Sequence, residues 1–113
     1  MRPDHVIRAL GALAQEHRLA AFHLLVEAGP QGLAAGAIAQ GVGAPPSSMS
    51  FHLAQLAHAG LVTQRRESRR VIYAADFAAM NGLVAYLTDN CCGGAGCLPS
   101  AACEPAPATE TAP

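Results

Sequence analysis

Five helices and one β-hairpin, an α+β arrangement that is mainly helical, are what this sequence predicts. Three observations lead there. Apolar residues recur at helical spacing in several stretches, glycine and proline punctuate them, and two β-branched segments flank a short arginine-rich turn. A chain of 113 residues holds one domain with a modest core. No apolar run approaches the roughly 20 residues that cross a bilayer, and Met1-Arg2-Pro3-Asp4-His5 lacks the apolar stretch of a secretory signal. The expectation is a cytoplasmic protein with no membrane partner. The folded domain is expected over residues 1–90, with a cysteine-containing loop and a disordered tail over 91–113.

The first helix is expected from Val6 to Leu13, where Val6, Leu10 and Leu13 fall on one face. The second runs from about His17 to Ala28, with Leu19, Phe22, Leu25 and Val26 inward, and Gly29-Pro30 ends it. Ala34 to Gln40 reads as a short third helix closed by Gly41 and Gly43. Pro45-Pro46 suit a helix start, because the N–H groups of a first turn have no intrahelical partner. That fourth helix continues to His58 and stops at Gly60. Leu61–Arg66 and Val71–Ala75 form the hairpin around Glu67-Ser68-Arg69-Arg70. A fifth helix follows, with Phe77, Met80, Val84 and Leu87 on its apolar spacing. From about Leu98 the Pro/Ala/Glu/Thr-rich composition predicts disorder.

Two helices joined by a tight glycine-containing turn suggest helix-turn-helix. On a wheel, the fourth helix turns Met49, Leu53 and Leu56 to one face; Ser47, Phe51, Ala54, Gln55 and His58 project from the other, with Ser50 on a flank. A small, polar outer face suits a major groove, where hydroxyls and amides meet base edges and phosphates. An exposed Phe51 suits a thymine methyl. The hairpin adds Arg65, Arg66, Arg69 and Arg70, whose guanidinium forks suit phosphates or a narrow minor groove. Helix-turn-helix followed at once by a basic hairpin is a winged helix-turn-helix. The net charge of −1 hides this patch: all seven arginines lie by residue 70, and the last 38 residues carry only acids. The DNA-contacting set is Ser47, Ser48, Ser50, Phe51, His52, Gln55, Arg65, Arg66, Arg69 and Arg70. His52 also sits where it can hydrogen-bond beneath the helix.

The segment Ser47-Ser48-Met49-Ser50-Phe51-His52-Leu53-Ala54-Gln55-Leu56-Ala57-His58-Ala59-Gly60-Leu61-Val62 resembles the recognition helix of ArsR/SmtB-type metalloregulators. Arg65-Arg66-Glu67-Ser68-Arg69 with Tyr73 resembles that family's wing, and Glu16-His17-Arg18-Leu19 the start of its second helix. The resemblance covers roughly residues 5–97. It implies a repressor that binds double-stranded operator DNA as a homodimer through its first and last helices. One departure is Ser68, where the family usually has glycine; serine at positive φ costs about 1 kcal/mol.

All four cysteines, Cys91, Cys92, Cys97 and Cys103, lie within a 13-residue stretch. In a reducing compartment such a cluster is a metal or redox site more often than a set of structural disulfides. Sensor ligands that the family carries elsewhere are absent: the third helix has no thiol, and no histidine follows Asp76. Asn90-Cys91-Cys92-Gly93-Gly94-Ala95-Gly96-Cys97 resembles the arsenic-responsive subgroup, whose site is a vicinal cysteine pair plus a third thiol. The resemblance implies As(III), or Sb(III), as inducer at Cys91, Cys92 and Cys97, with Cys103 as alternative third or extra ligand. Soft trivalent arsenic takes three thiolates in a pyramid. A Cd, Pb or Zn sensor using these thiols stays open, although paired C-x₂₋₄-C units of structural zinc are missing.

Thiol-redox sensing is a further alternative, weakened because the thiols follow a helix C-terminus, whose dipole disfavours thiolate. The remaining histidines, His5, His17, His23 and His58, show no ligand spacing. Nothing pairs a general acid with a base, so no enzyme is expected. A small thiol reductase would want C-x-x-C beside a βαβ unit, and neither is visible.

Overall fold

The computed structural model describes residues 1–94. In chain order the elements are α1 (Pro3–Leu13), α2 (Glu16–Ala28), β1 (Leu33–Ala34), α3 (Ala35–Val42), α4 (Pro46–His58), β2 (Val62–Glu67), β3 (Arg70–Ala75) and α5 (Phe77–Leu87), then a 3₁₀ turn at Cys91–Gly94. The five helices and the hairpin wing of the expected fold are all present. Cys97, Cys103 and the tail expected to be disordered lie outside the described residues.

Local chemistry sets the boundaries. The side chain of Gln15 accepts a 2.9 Å hydrogen bond from the Arg18 amide and caps α2. Asp76 does the same for α5, accepting from the Ala79 amide at 3.1 Å. Pro3 and Pro46 occupy first turns. Gly43 closes α3 in the left-handed region, φ 81°. α1 begins at Pro3, three residues before its apolar spacing does.

The core forms where α2, α3 and α4 meet the sheet. Leu25, Ile38, Met49, Leu53, Leu56 and Leu61 are fully buried, each worth roughly 1.5–3 kcal/mol of transfer free energy. One expected inward residue is corrected. Leu19 is 54% exposed, because α2 packs through Ala21, Phe22 and Leu25, a stripe centred about 115° away on the wheel at ~100° per residue. On α5, Leu83 is buried while Val84 and Leu87, on the apolar spacing of that helix, are 53% and 58% exposed.

The sheet is three-stranded and antiparallel, in the order β1-β3-β2. β1 was not expected from sequence. It pairs Leu33 with Tyr73 and Ala34 with Ile72, so the corner before α3 is hydrogen-bonded to the inner strand of the wing. The hairpin is tighter than expected: β2 and β3 pair as far as Glu67 and Arg70, leaving Ser68-Arg69 as the turn. Ser68 adopts φ 57°, the strained region expected of a glycine position. Among the described residues, no helix is long and apolar enough to cross a membrane.

Candidate nucleic-acid interface and cysteine pair

The underside of α4 is anchored by Met49, Leu53 and Leu56, all 0% exposed, so its outer face is held rigidly. Ser47, Ser50, Phe51, Ala54, Gln55 and His58 stand exposed there. Phe51 keeps 59% of its surface open, an unusual placement for a phenyl ring on a monomer. Ser48 is half-buried and its hydroxyl donates to the Pro45 carbonyl at 3.1 Å, a local first-turn bond that occupies its donor.

His52 is a correction. It was placed with the DNA-contacting residues, yet it is buried at 9% exposure, lying on the wheel beside Leu56 rather than Phe51. Its Nδ1 accepts from Arg18 Nη1 at 3.3 Å, and its ring lies 5.5 Å from that of His17. Burial first, then the Arg18 charge, then His17, hold its pKa below the ordinary histidine value. Arg18, which the sequence reading passed over, is the partner that makes this burial tolerable.

The wing is also more differentiated than its composition. All four arginines are exposed, but Arg65 is tied to protein groups: Nε to Glu67 Oε2 at 2.8 Å and Nη2 to the Gln31 carbonyl at 2.8 Å. Arg66, Arg69 and Arg70 form the rest of the basic surface. Arg70 and Ser50 line one open groove of about 610 Å³ with Ala34, Gly36, Ala37 and Tyr73. The wing, α4 and the start of α3 therefore bound one continuous surface. Small residues on its wall allow a close backbone approach.

Arg66→Ala is expected to weaken binding to all duplexes alike and to lower the salt slope by about one unit. Gln55→Ala is expected instead to change which sequence is preferred, costing about 1–3 kcal/mol on the best one. Binding isotherms across salt and across a duplex library separate the two; a uniform loss from Gln55→Ala would remove it as a base reader.

Beyond α5 the backbone turns sharply. Asn90, Cys92 and Gly93 all have positive φ (57°, 55° and 67°), and the Cys91 amide donates to the Thr88 carbonyl at 3.0 Å. This turn sets the sulfurs of half-buried Cys91 and exposed Cys92 3.8 Å apart. Two thiolates on one soft ion with bonds of about 2.3 Å sit roughly 3.5–3.8 Å from each other. The pair thus has a spacing compatible with shared ligation. Among the described residues no group of three or more His, Cys, Asp or Glu could hold a metal ion, and both candidates for a third thiol lie beyond them.

Residues 13–65 match the family model described as a helix-turn-helix domain. The chain is 30% identical over 83 residues to the HTH-type transcriptional regulator YgaV of Escherichia coli (strain K12), covering 74% of this chain and 82% of that protein. It is also similar to the homodimeric winged helix-turn-helix DNA-binding domain of a possible ArsR-family regulator from Mycobacterium bovis. That structure superposes with a TM-score of 0.61 at 34% identity, over 77% of this chain and 81% of the other. The chain belongs to the ArsR family of winged helix-turn-helix transcriptional regulators. As an ArsR-family regulator it is a DNA-binding protein. A further neighbour is a possible transcriptional regulator for arsenical resistance, at TM-score 0.61 and 29% identity over 70% of this chain and 79% of that one.

Proposed function

We propose that this ArsR-family regulator is a dimeric repressor that holds double-stranded operator DNA and releases it on capturing As(III) or Sb(III). The observation that carries the proposal is the Cys91–Cys92 pair, its sulfurs 3.8 Å apart at the end of α5. The neighbour tied to arsenical resistance supports it. Cys97 supplies the third thiolate, across a glycine-rich loop short enough to fold back; Cys103 is the alternative. Residues 1–90 are the DNA-binding and dimerising domain, and 91–113 carry the metalloid loop and tail.

The dimer is supported by apolar surface that one chain leaves open. Ile7 (71% exposed) and Leu10 (41%) on α1, with Val84 (53%) and Leu87 (58%) on α5, are unfavourable in water unless covered, and α1 packs against α5. The Cys91–Cys92 pair follows α5 directly in the chain. Metalloid binding there shifts how two protomers meet, and so the separation of two reading helices set in successive major grooves. A second reading has its own support, since the same spacing suits thiolate ligation of Cd, Pb or Zn.

The test is a mobility shift on a duplex that the protein selects from a random pool, titrated with arsenite, antimonite, cadmium, lead, zinc and peroxide. Release by arsenite and antimonite, with zinc and peroxide inert, is the expected result. Release by cadmium, lead or zinc alone moves the site to the second reading, and release by peroxide alone overturns both.

A further inference from the structure

The reading helix is fastened to the rest of the domain by one polar connection as well as by its apolar underside. Arg18 Nε donates to the Ala12 carbonyl at the end of α1, 2.7 Å, and its Nη1 reaches His52 Nδ1 at 3.3 Å in the middle of α4. The Arg18 amide meanwhile donates to the Gln15 cap. A single side chain therefore joins the α1–α2 corner to the helix that carries Phe51 and Gln55.

Arginine has no acceptor and stays charged. The contact consequently requires a bare lone pair on Nδ1, with the ring proton on Nε2. We propose that Arg18 and His52 are positioning residues for DNA binding, joining α1 to the underside of the reading helix only while His52 is neutral, so that acid weakens the grip on DNA. The proposal rests on the DNA-binding role of α4 and is independent of the thiols.

The groups acting on His52 all favour the neutral ring. Arg18 and His17 face it from α2, and α1 contributes the Ala12 carbonyl through Arg18 while its own Arg8 shares a recess with Arg18, Gln55 and His58. On α4 itself the neighbour is the uncharged ring of Phe51. No carboxylate is among the groups that shift His52. Protonation would set imidazolium against guanidinium, and the bond would be lost along with the helix angle it fixes.

The sign of the effect makes it separable. Acidification ordinarily adds positive charge to a protein, and added positive charge strengthens binding to a polyanion. His52 predicts the opposite. Affinity for a duplex selected at pH 8 is to be measured from pH 8 to 5.5 for the wild type and His52→Asn, whose amide keeps an acceptor near the Nδ1 position and cannot titrate. Circular dichroism at each pH holds folding in view. The expected wild-type result is a roughly tenfold loss, the scale of one hydrogen bond to a charged group, with near wild-type affinity at pH 8 and no loss on acidification for His52→Asn. A flat or rising wild-type profile, or an equal fall in His52→Asn, overturns the proposal. If wild type binds no duplex at pH 8, the DNA reading fails instead, and histidine-ring NMR of the unliganded chain decides on the pair. The same measurement decides if His52→Asn does not fold. An unprotonated Nδ1 on His52, titrating below the ordinary histidine value, retains the pair; titration at that ordinary value removes it.

Discussion

Cys91→Ser and Cys92→Ser proteins are each expected to bind DNA as the wild type does and to keep hold of it when arsenite is added. Serine keeps the size of cysteine but lacks the soft thiolate that trivalent arsenic selects. Both positions lie past the end of α5, remote in sequence from α4 and the wing, so metalloid-free affinity should change less than about twofold. What disappears is the coupling between the two sites, typically 1–3 kcal/mol, or about 5- to 150-fold in DNA affinity. Cys97→Ser should behave like the first two, and Cys103→Ser like the wild type. The readout is a mobility shift with and without arsenite. Undiminished release from either Cys91→Ser or Cys92→Ser would remove the thiol pair from the site.

Gly32→Ala carries the largest expected cost to the fold. Gly32 has φ 70°, and a Cβ there would overlap the Tyr73 carbonyl and press on the Ile72 side chain. Both residues belong to β3, so the clash is with backbone that β1 and β2 hold from either side. Relief requires β1 to leave β3, which would free the corner that positions α3 and the inner strand of the wing. The expected loss is about 3 kcal/mol, combining left-handed strain with the clash, and a fall in melting temperature on the order of 15 °C. Gly36→Ala is the internal control. Its φ is ordinary and nothing lies within 4 Å of the added Cβ, so thermal melts should show stability unchanged or slightly raised. Equal melting of Gly32→Ala and wild type would mean that β1 does not brace the wing.

Elements were legible wherever punctuation agreed with periodicity. Pro46 and Gly60 bracket α4, and its apolar spacing gave Met49, Leu53 and Leu56 correctly as the buried face. Leu19 misled because leucine outweighs alanine in any apolar pattern, whereas a tightly packed helix pair prefers the small Ala21. β1 was missed because two residues show no alternation; its only local signal was Gly32, a residue whose need for positive φ and close approach emerges from the register with Tyr73. His52 shows the limit for site residues. It was expected among the DNA-contacting residues, with a hydrogen bond beneath the helix, but its partner is Arg18, 34 positions earlier, and no local pattern connects the two. Similarly, four wing arginines look equivalent in sequence until Gln31 and Glu67 claim one of them.

That claim on Arg65 reaches beyond the wing. The affinity of a protein for DNA falls with salt in proportion to the phosphates it neutralises. Arg65 is held by Glu67 and by the Gln31 carbonyl, so, on the proposed role of the wing, Arg66, Arg69 and Arg70 are the arginines left for an ionic grip. A cell that loses water concentrates its ions within minutes. A regulator that leans on shape and fewer ionic contacts would keep more of its occupancy on DNA through such an osmotic shock.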